Sequence, residues 1–574
     1  MTTTASAQTP ARAKPWVLLA LFLAAGTLSF FANRAAYKAY FSDDDLDKMG
    51  WPTVLSNGAF VHEILTPKLS EGNVRPVGYL YYRYMGRAFK WNYRPWVIVL
   101  QAGHLINVIL LFFVLRRFDF SDFAAGVGAL FYVFHAALIY IYWQPQYIFE
   151  VLACMFCLLT LLLYVRGHWI LAIVPFWLAY KSKEIAVTLP VALLAWEWFL
   201  GSRKWKRLIP YFLISLNFGL QALVVNQTIA PDAGYALRFD PATLWHTIAF
   251  YSSAIVFLPF AGLALLLVPI FTRDRRVWVG LIFMAALFVP MLVLPSRLET
   301  VYWYIPMVGL TIAIAALATR VPRWAIALFF LLWFPLNHIM MKPKRSELLA
   351  HGDQVRWYTA GLLEFAKHVP PLKAVVFQGT PSFMGAWGIE GAIHQVFGLG
   401  IRTAWFKDPQ VRKALAEVPM AIVGYYSVTR TVKGLLRERD ELESYVRFSD
   451  EPPGLQLGGG WYYDDAPFRW IGPKAEVSLR RPAGASEFEI VAIIPPESLQ
   501  KDGPAKVTVL QDGESLGTQT LSEPRTQPQP LRWKLPDGAP GVHKIAIVTE
   551  PVRHGVGDPR DLGIAVSAIG YVSP

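Results

Sequence analysis

Long apolar runs separated by short polar breaks fill the first 341 residues of this chain. A helix needs about 20 apolar residues to cross the hydrocarbon core of a membrane. Runs of that kind lie near 16–33, 95–115, 122–142, 147–165, 168–182, 185–200, 208–226, 247–271, 277–295, 304–320 and 324–341, so the pattern predicts about eleven transmembrane helices. The runs 168–182 and 185–200 are short, and the run 247–271 contains an internal proline. No small-residue cleavage site stands out after the first run, which is therefore expected to be an uncleaved anchor. A polar segment, 34–94, separates it from the second.

The pattern changes near 342. SELLAHGDQVRWYTAGLLEFAKHV reads as helix, and KAVVFQG and MAIVGYYSV are short apolar runs of the kind that become buried strands, which predicts a small α/β region over 342–445. From 446 to 574 come AEVSLRRP, SEFEIVAII, AKVTVLQDG, LRWKLPDG, HKIAIVTE and IAVSAIGYV, short alternating runs with Asp-Gly and Gly-rich turns. These predict an antiparallel β-sandwich. The expected fold is thus an α-helical polytopic membrane domain over 1–341, followed by an α/β and a β-sandwich region.

Composition supports the membrane class: 54% of the 574 residues are hydrophobic and 17% charged, too apolar for an ordinary soluble protein of this size. The net charge of +13 does not point to nucleic acid, because the basic residues sit in short clusters between apolar runs. Those clusters carry orientation instead. With the N-terminus inside, the inner segments hold fourteen Lys and Arg residues, among them Arg116, Arg117, Arg203, Lys204, Arg273, Arg275, Arg276 and Arg320. The short outer loops hold four: Lys181, Lys183, Arg238 and Arg297. An odd number of spans then puts 34–94 and everything after about 342 outside, as a multi-pass protein of the plasma (inner) membrane with an extracytoplasmic C-terminal domain. The two cysteines, Cys154 and Cys157, lie one turn apart in an apolar helix, where packing is their expected role.

Candidate chemistry gathers on the predicted outer face. FSDDDLDKMGW brings Asp43, Asp44, Asp45 and Asp47 together just after the first span, where mutual repulsion should raise at least one pKa, as a base or cation site requires. An acidic helix cap accounts for the same residues. In RPVGYLYYR, Arg75 is suited to bidentate phosphate contact or to headgroup anchoring. Gln101, His104 and Asn107 share one helical face at membrane depth, as a cavity lining or as an interhelical hydrogen-bond network. AYKSKEIAVTLP places Lys181, Lys183 and Glu184 in an outer turn, where a local Lys-Glu pair is the simpler reading. LPSRLETVYWYIP brings Arg297, Glu299, Tyr302 and Tyr304 to the same side, the tyrosines also fitting an interfacial aromatic belt. In the sandwich region, Trp461, Tyr462, Tyr463, Phe468 and Trp470 are either core or a carbohydrate-stacking surface.

These motifs together resemble the GT-C superfamily of polytopic glycosyltransferases, in particular the branch of protein O-mannosyltransferases and transmembrane mannosyltransferases with tetratricopeptide repeats. The resemblance covers about residues 16–320 and rests on the aspartates within Asp43–Asp45, Arg75-Pro76, HLINVILL, SKEIAVTLP and SRLETVYWYIP, in that order. The chain departs from it in two ways. Where relatives carry HPVHxE, it has FHAALIYIYWQPQYIFE, retaining His135 and Glu150 at another spacing, and no tetratricopeptide repeats follow.

The resemblance implies a polyprenyl-phosphate-linked sugar donor, inverting hexosyl transfer, and a glycan, lipid or protein acceptor. Polyprenyl phosphate leaves readily, so the reaction asks for one base and for cations that hold the phosphate, not for a general acid. By resemblance the base is Asp44 or its neighbours Asp43 and Asp45. Arg75, Lys183 and Arg297 are the phosphate contacts, supported by His104, Glu184 and Tyr302. Whether a divalent cation takes part is left open. A transporter or flippase of lipid-linked saccharides is the alternative and predicts repeated halves, of which the sequence shows no sign.

Overall fold

The fold is that of a computed structural model, which describes residues 13–68, 75–226, 237–406, 420–426, 429–437, 442–448, 456–462, 468–554 and 560–573. Arg12, Tyr463 and the stretch 69–74 of the polar segment 34–94 lie outside the described residues. The chain divides into two compact units: one of Met1–Phe41 and Trp51–Gly352, the other of Ser42–Gly50 and Asp353–Pro574.

The first unit is helical. Five helices are long and apolar enough to cross a membrane: Pro15–Lys38 counted with its final 3-10 turn, Tyr93–Arg117, Pro145–Val165, Arg275–Leu292 and Arg323–Ala366. Two further spans are broken. Asp122–Val133 and Ala136–Trp143 meet at 53°, and Pro241–Val256 and Ala261–Thr272 at 84°. The second break has an identifiable cause, since Pro259 has no N–H to continue the helix and Phe257 and Phe260 on either side are left-handed, at φ 59 and 58. At the first break His135 caps the new turn, its Nδ1 accepting from the Ala137 N–H at 3.1 Å.

The expected eleven crossings therefore exceed the five to seven that helix length and composition support among the described residues. Ile173–Ser182 and Leu189–Phe199 have 10 and 11 residues, about 15 Å each and half of a hydrocarbon core. Leucines on the long helices point outward, Leu19, Leu23, Leu328 and Leu331 among them, as lipid-facing positions do. The protein is a multi-pass membrane protein.

The second unit is built on sheets. Strands β1 (Ala374–Gln378), β2 (Arg402–Trp405), β3 (Met420–Tyr426) and β4 (Thr431–Arg437) form one sheet in the order β2-β1-β3-β4, with β1 parallel to β2 and β3. Both β1 and β3 are buried along their whole length, which is why they read as unbroken apolar runs. The helix Ala386–Phe397 makes the crossover between β1 and β2. It is the only helix long enough for that crossover among the described residues.

The remaining strands are β5 (Tyr445–Arg447), β6 (Arg469–Trp470), β7 (Lys474–Arg481), β8 (Glu487–Ile494), β9 (Ala505–Gln511), β10 (Glu514–Leu521), β11 (Arg525–Lys534), β12 (Gly541–Glu550) and β13 (Ala565–Val572). They form two antiparallel sheets, β10-β9-β12-β7 and β11-β8-β13-β5, with β6 beside β13. Alternating side chains of both, such as Val477, Ile490, Val507, Ile547 and Ile569, share one core. Asp512 and Gly513 turn β9 into β10, both with positive φ as a two-residue hairpin requires. All six sandwich runs read from the sequence are strands; β10, ESLGTQTL, escaped because its apolar positions do not alternate.

Candidate functional site

In the membrane unit, charged side chains from three distant stretches meet at the ends of apolar helices. Arg75 precedes the helix Pro76–Phe89, whose proline at the first position needs no N–H partner. Its Nε donates to Glu184 Oε1 at 2.8 Å, and its guanidinium lies 5.5 Å from the centre of the Phe149 ring. The ring reaches that place because residue 78 is glycine: a Cβ there would stand 2.1 Å from Phe149 Cδ1. Lys183 is extended, in the turn between Ile173–Ser182 and Leu189–Phe199, and its Nζ pairs with Glu150 Oε1 at 2.6 Å. It also stands 5.9 Å from the ring of Tyr302.

Glu150 is 4% exposed, in the first turn of Ile148–Val165, where the helix dipole favours an anion. Its second oxygen, Oε2, has no hydrogen-bond partner among the described residues. Glu184 keeps 48% of its side-chain surface accessible. Burial works to raise its pKa, but the charges of Arg75 and Lys183 prevail and hold the carboxyl below the usual range. Burial, with Arg75 adding to it, pulls Lys183 below the usual lysine range, against the two glutamates. The ion pairs are thus cross-chain, Arg75 with Glu184 and Lys183 with Glu150, and not the local Lys-Glu pair that SKEI suggested.

Arg297 is held through its main chain, whose carbonyl accepts from Tyr251 OH at 3.0 Å. Two residues on, Glu299 Oε2 accepts from Tyr147 OH at 2.9 Å, tying that loop to the start of the Glu150 helix. His104 is fully buried, with Nδ1 2.9 Å from Tyr304 OH and Nε2 2.9 Å from Tyr142 OH. Asn107 Nδ2 donates to the same Tyr304 hydroxyl and to Val151 O, and Gln101 Nε2 to Tyr142 O. The polar face of that helix is an interhelical hydrogen-bond network in which both His104 nitrogens are engaged.

The aspartates belong to the second unit. Ser42 caps the short helix Asp43–Lys48 in a capping box, in which Ser42 Oγ accepts from the Asp45 N–H at 3.3 Å and Ser42 N donates to Asp45 Oδ2 at 2.9 Å. Asp45 is fully buried by that role. Asp44 keeps 45% of its side-chain surface accessible, paired with Lys48 Nζ at 2.8 Å and accepting from Trp387 Nε1 at 3.1 Å. Asp43 accepts from the N–H groups of Asp44 and Gly385. Burial, with the Asp44 charge next, raises the Asp43 pKa against those bonds and against Lys48. Burial also raises Asp47. The helix docks on Ala386–Phe397 through two glycines: a Cβ on Gly388 would come 2.2 Å from Asp43 Cβ, and one on Gly391 2.5 Å from Asp47 N.

Among the described residues no group of three or more His, Cys, Asp and Glu side chains is placed to hold a metal ion. Cys154 and Cys157 are buried and unpaired, as packing residues are. In the sandwich Trp461 is buried, donating to Glu476 O at 2.8 Å, so it belongs to the core.

Sequence reasoning missed the partnership of Glu150 with Lys183, although a lone acid in an apolar helix was a signal for it. It had no signal for Trp387, Gly388 or Gly391, which lie more than 340 residues from the aspartates they contact.

No family profile matches the chain, and no curated protein matches it significantly. Among solved structures it is similar to ArnT from Cupriavidus metallidurans bound to undecaprenyl phosphate, at 14% identity over 72% of this chain and 94% of that one, with a TM-score of 0.47. It is similar to the Archaeoglobus fulgidus oligosaccharyltransferase at 11% identity over 98% of both chains, TM-score 0.46. The arabinosyltransferase EmbB from Mycobacterium smegmatis aligns at 14% identity over 100% of this chain and 66% of that one, TM-score 0.34. At scores and identities this low, what the residues of this chain do rests on their own geometry.

Proposed function

We propose that the chain is a GT-C-type glycosyltransferase that moves a sugar from a polyprenyl-phosphate-linked donor to a hydroxyl of an extracytoplasmic acceptor, with inversion. The observation that carries this reading is the pairing of Arg75 with Glu184 and of Lys183 with Glu150 at the ends of apolar helices. Charges in such places are costly and are kept for a task. Glu184, with about half of its side chain accessible, can turn to solvent when a phosphate takes its place beside Arg75, whereas the buried Glu150 stays with Lys183.

In this reading Asp44, whose side chain is 45% accessible, takes the proton of the acceptor hydroxyl. The acceptor oxygen bonds to the anomeric carbon as the bond from that carbon to the phosphate oxygen breaks. The electron pair leaves with polyprenyl phosphate, whose charge Arg75, Lys183 and Arg297 offset. Asp43 sustains the local negative potential, and Asp45 holds the helix.

The test supplies the purified full chain with a polyprenyl-phosphate sugar and an acceptor and measures release of polyprenyl phosphate. Asp44→Asn with Asp45→Asn should abolish release, and Asp44→Asn alone, which leaves the capping box intact, should lower it by about 10²–10⁴-fold. Persistent turnover in the double variant removes the carboxylate base. Passage of intact lipid-linked sugar across a vesicle bilayer, without cleavage, favours a transporter.

A further inference from the structure

We propose that the membrane unit carries a second anion site, a pocket for the phosphate of an anionic phospholipid headgroup, lined by Arg117, Arg273, Arg275, Arg276 and Arg320. These arginines come from three places in the sequence and surround one cavity of about 720 Å³. Arg117 ends the helix Tyr93–Arg117, Arg273 to Arg276 form the turn before Arg275–Leu292, and Arg320 follows Pro306–Ala318.

The cavity is distinct from the ion-pair cluster. Val165 lines it, and Val165 ends the helix that begins with Ile148 and carries Glu150 in its first turn. Eighteen residues of helix separate the two ends by about 27 Å, close to a hydrocarbon thickness. Leu200 tells the same story, following the helix Leu189–Phe199 that starts just after Glu184.

Part of the lining is rigid. Arg276 makes a bidentate contact to Asp274, with Nε and Nη2 reaching Oδ2 at 2.8 and 2.6 Å. It also donates to Phe118 O at 3.1 Å and lies 3.8 Å over the Phe120 ring. Arg320 Nη2 donates to Thr272 O at 3.1 Å. The Arg276 and Asp274 charges cancel. What remains is four arginines, Arg117, Arg273, Arg275 and Arg320, against Asp119 alone, a net charge of +3 on the lining. Arg117, Arg273 and Arg275 are exposed, and none makes an ion pair among the described residues.

Helix C-terminal ends at this pocket attract arginines through the helix dipole, but they satisfy only a fraction of a charge each and leave the excess in place. A concave, net-positive cavity at the ends of membrane helices matches the chemistry of a phosphate headgroup. The exposed indoles of Trp198 and Trp278 on neighbouring helices mark the interfacial level where such headgroups lie.

The experiment incubates the full chain in detergent with equal amounts of phosphatidylcholine and phosphatidylglycerol, and counts retained lipids by native mass spectrometry. Wild-type protein should retain phosphatidylglycerol preferentially. Neutralising the three unpaired arginines together, Arg117→Gln, Arg273→Gln and Arg275→Gln, should lower that preference by roughly a hundredfold. Arg203→Gln with Lys204→Gln and Lys206→Gln, which removes three basic residues outside the cavity, should leave it within about twofold. Equal loss in the two triple variants, or none in the first, overturns the proposal. Inorganic phosphate is the competing probe: lipid that stays bound at millimolar phosphate confirms a headgroup site, whereas displacement assigns the same arginines to soluble phosphate.

Discussion

Replacing Lys183 by methionine should separate what this side chain does for the fold from what it does for the reaction. Its ammonium is 2.6 Å from Glu150 Oε1, with only 14% and 5% of the two side chains accessible. The other Glu150 oxygen already has no hydrogen-bond partner among the described residues, so Lys183→Met leaves a buried carboxylate with neither oxygen bonded there. Removing one member of a buried pair costs about 3–5 kcal/mol, because the survivor keeps its desolvation penalty without its attraction. Replacing both, Lys183→Met with Glu150→Leu, removes the stranded charge and should restore most of that loss. The coupling energy of the cycle should then exceed about 2 kcal/mol. Turnover should not follow stability: if Lys183 holds the departing phosphate, single and double variants should both lose about 10²–10³-fold in kcat. Unfolding in lipid nanodiscs and polyprenyl phosphate release would be measured on all four proteins. A double variant that regains turnover along with stability would refute the phosphate role, and a single variant as stable as wild type would refute the buried pair.

The aspartate helix yields the other predictions. Lys48 opposes the rise in the Asp43 and Asp47 pKa values, so Lys48→Met should raise both further, and an unchanged NMR titration of their carboxyls would refute that contact. The folded pKa of Asp43 lies above its ordinary 3.8, so the folded state binds that proton more tightly, and stability of the second unit should rise as pH falls through the folded value and level off below 3.8. Activity and stability should thus move in opposite directions on the acid side, readable by parallel rate and unfolding titrations. Gly388→Ala puts a methyl against Asp43 with backbone behind it, which should cost about 1–3 kcal/mol and speed proteolysis within 42–50. Trp387→Phe removes the indole donor to Asp44 and should lower kcat several-fold while stability changes by about 1 kcal/mol or less; unchanged kcat would show that the contact does not orient the carboxylate.

The sequence by itself determined the membrane class, the change of architecture near 342 and most strands, because these depend on local hydrophobic periodicity. It also determined that an aspartate cluster, Arg75 and the SKEI turn were the places to look, since charge beside apolar helices is rare enough to be seen residue by residue. Tertiary structure alone decided how those charges are shared. Glu184 pairs with Arg75 across 109 residues and Lys183 with Glu150 across 33, and no spacing rule predicts either. It decided that Asp45 is a buried cap while Asp44 stays accessible, which follows from how Ser42 closes the first turn. It broke two expected spans at His135 and Pro259 and left others too short to cross, because hydropathy records whether a segment is apolar and not whether its helix continues. Partners distant along the chain are chosen by packing, and packing is a property of the folded whole.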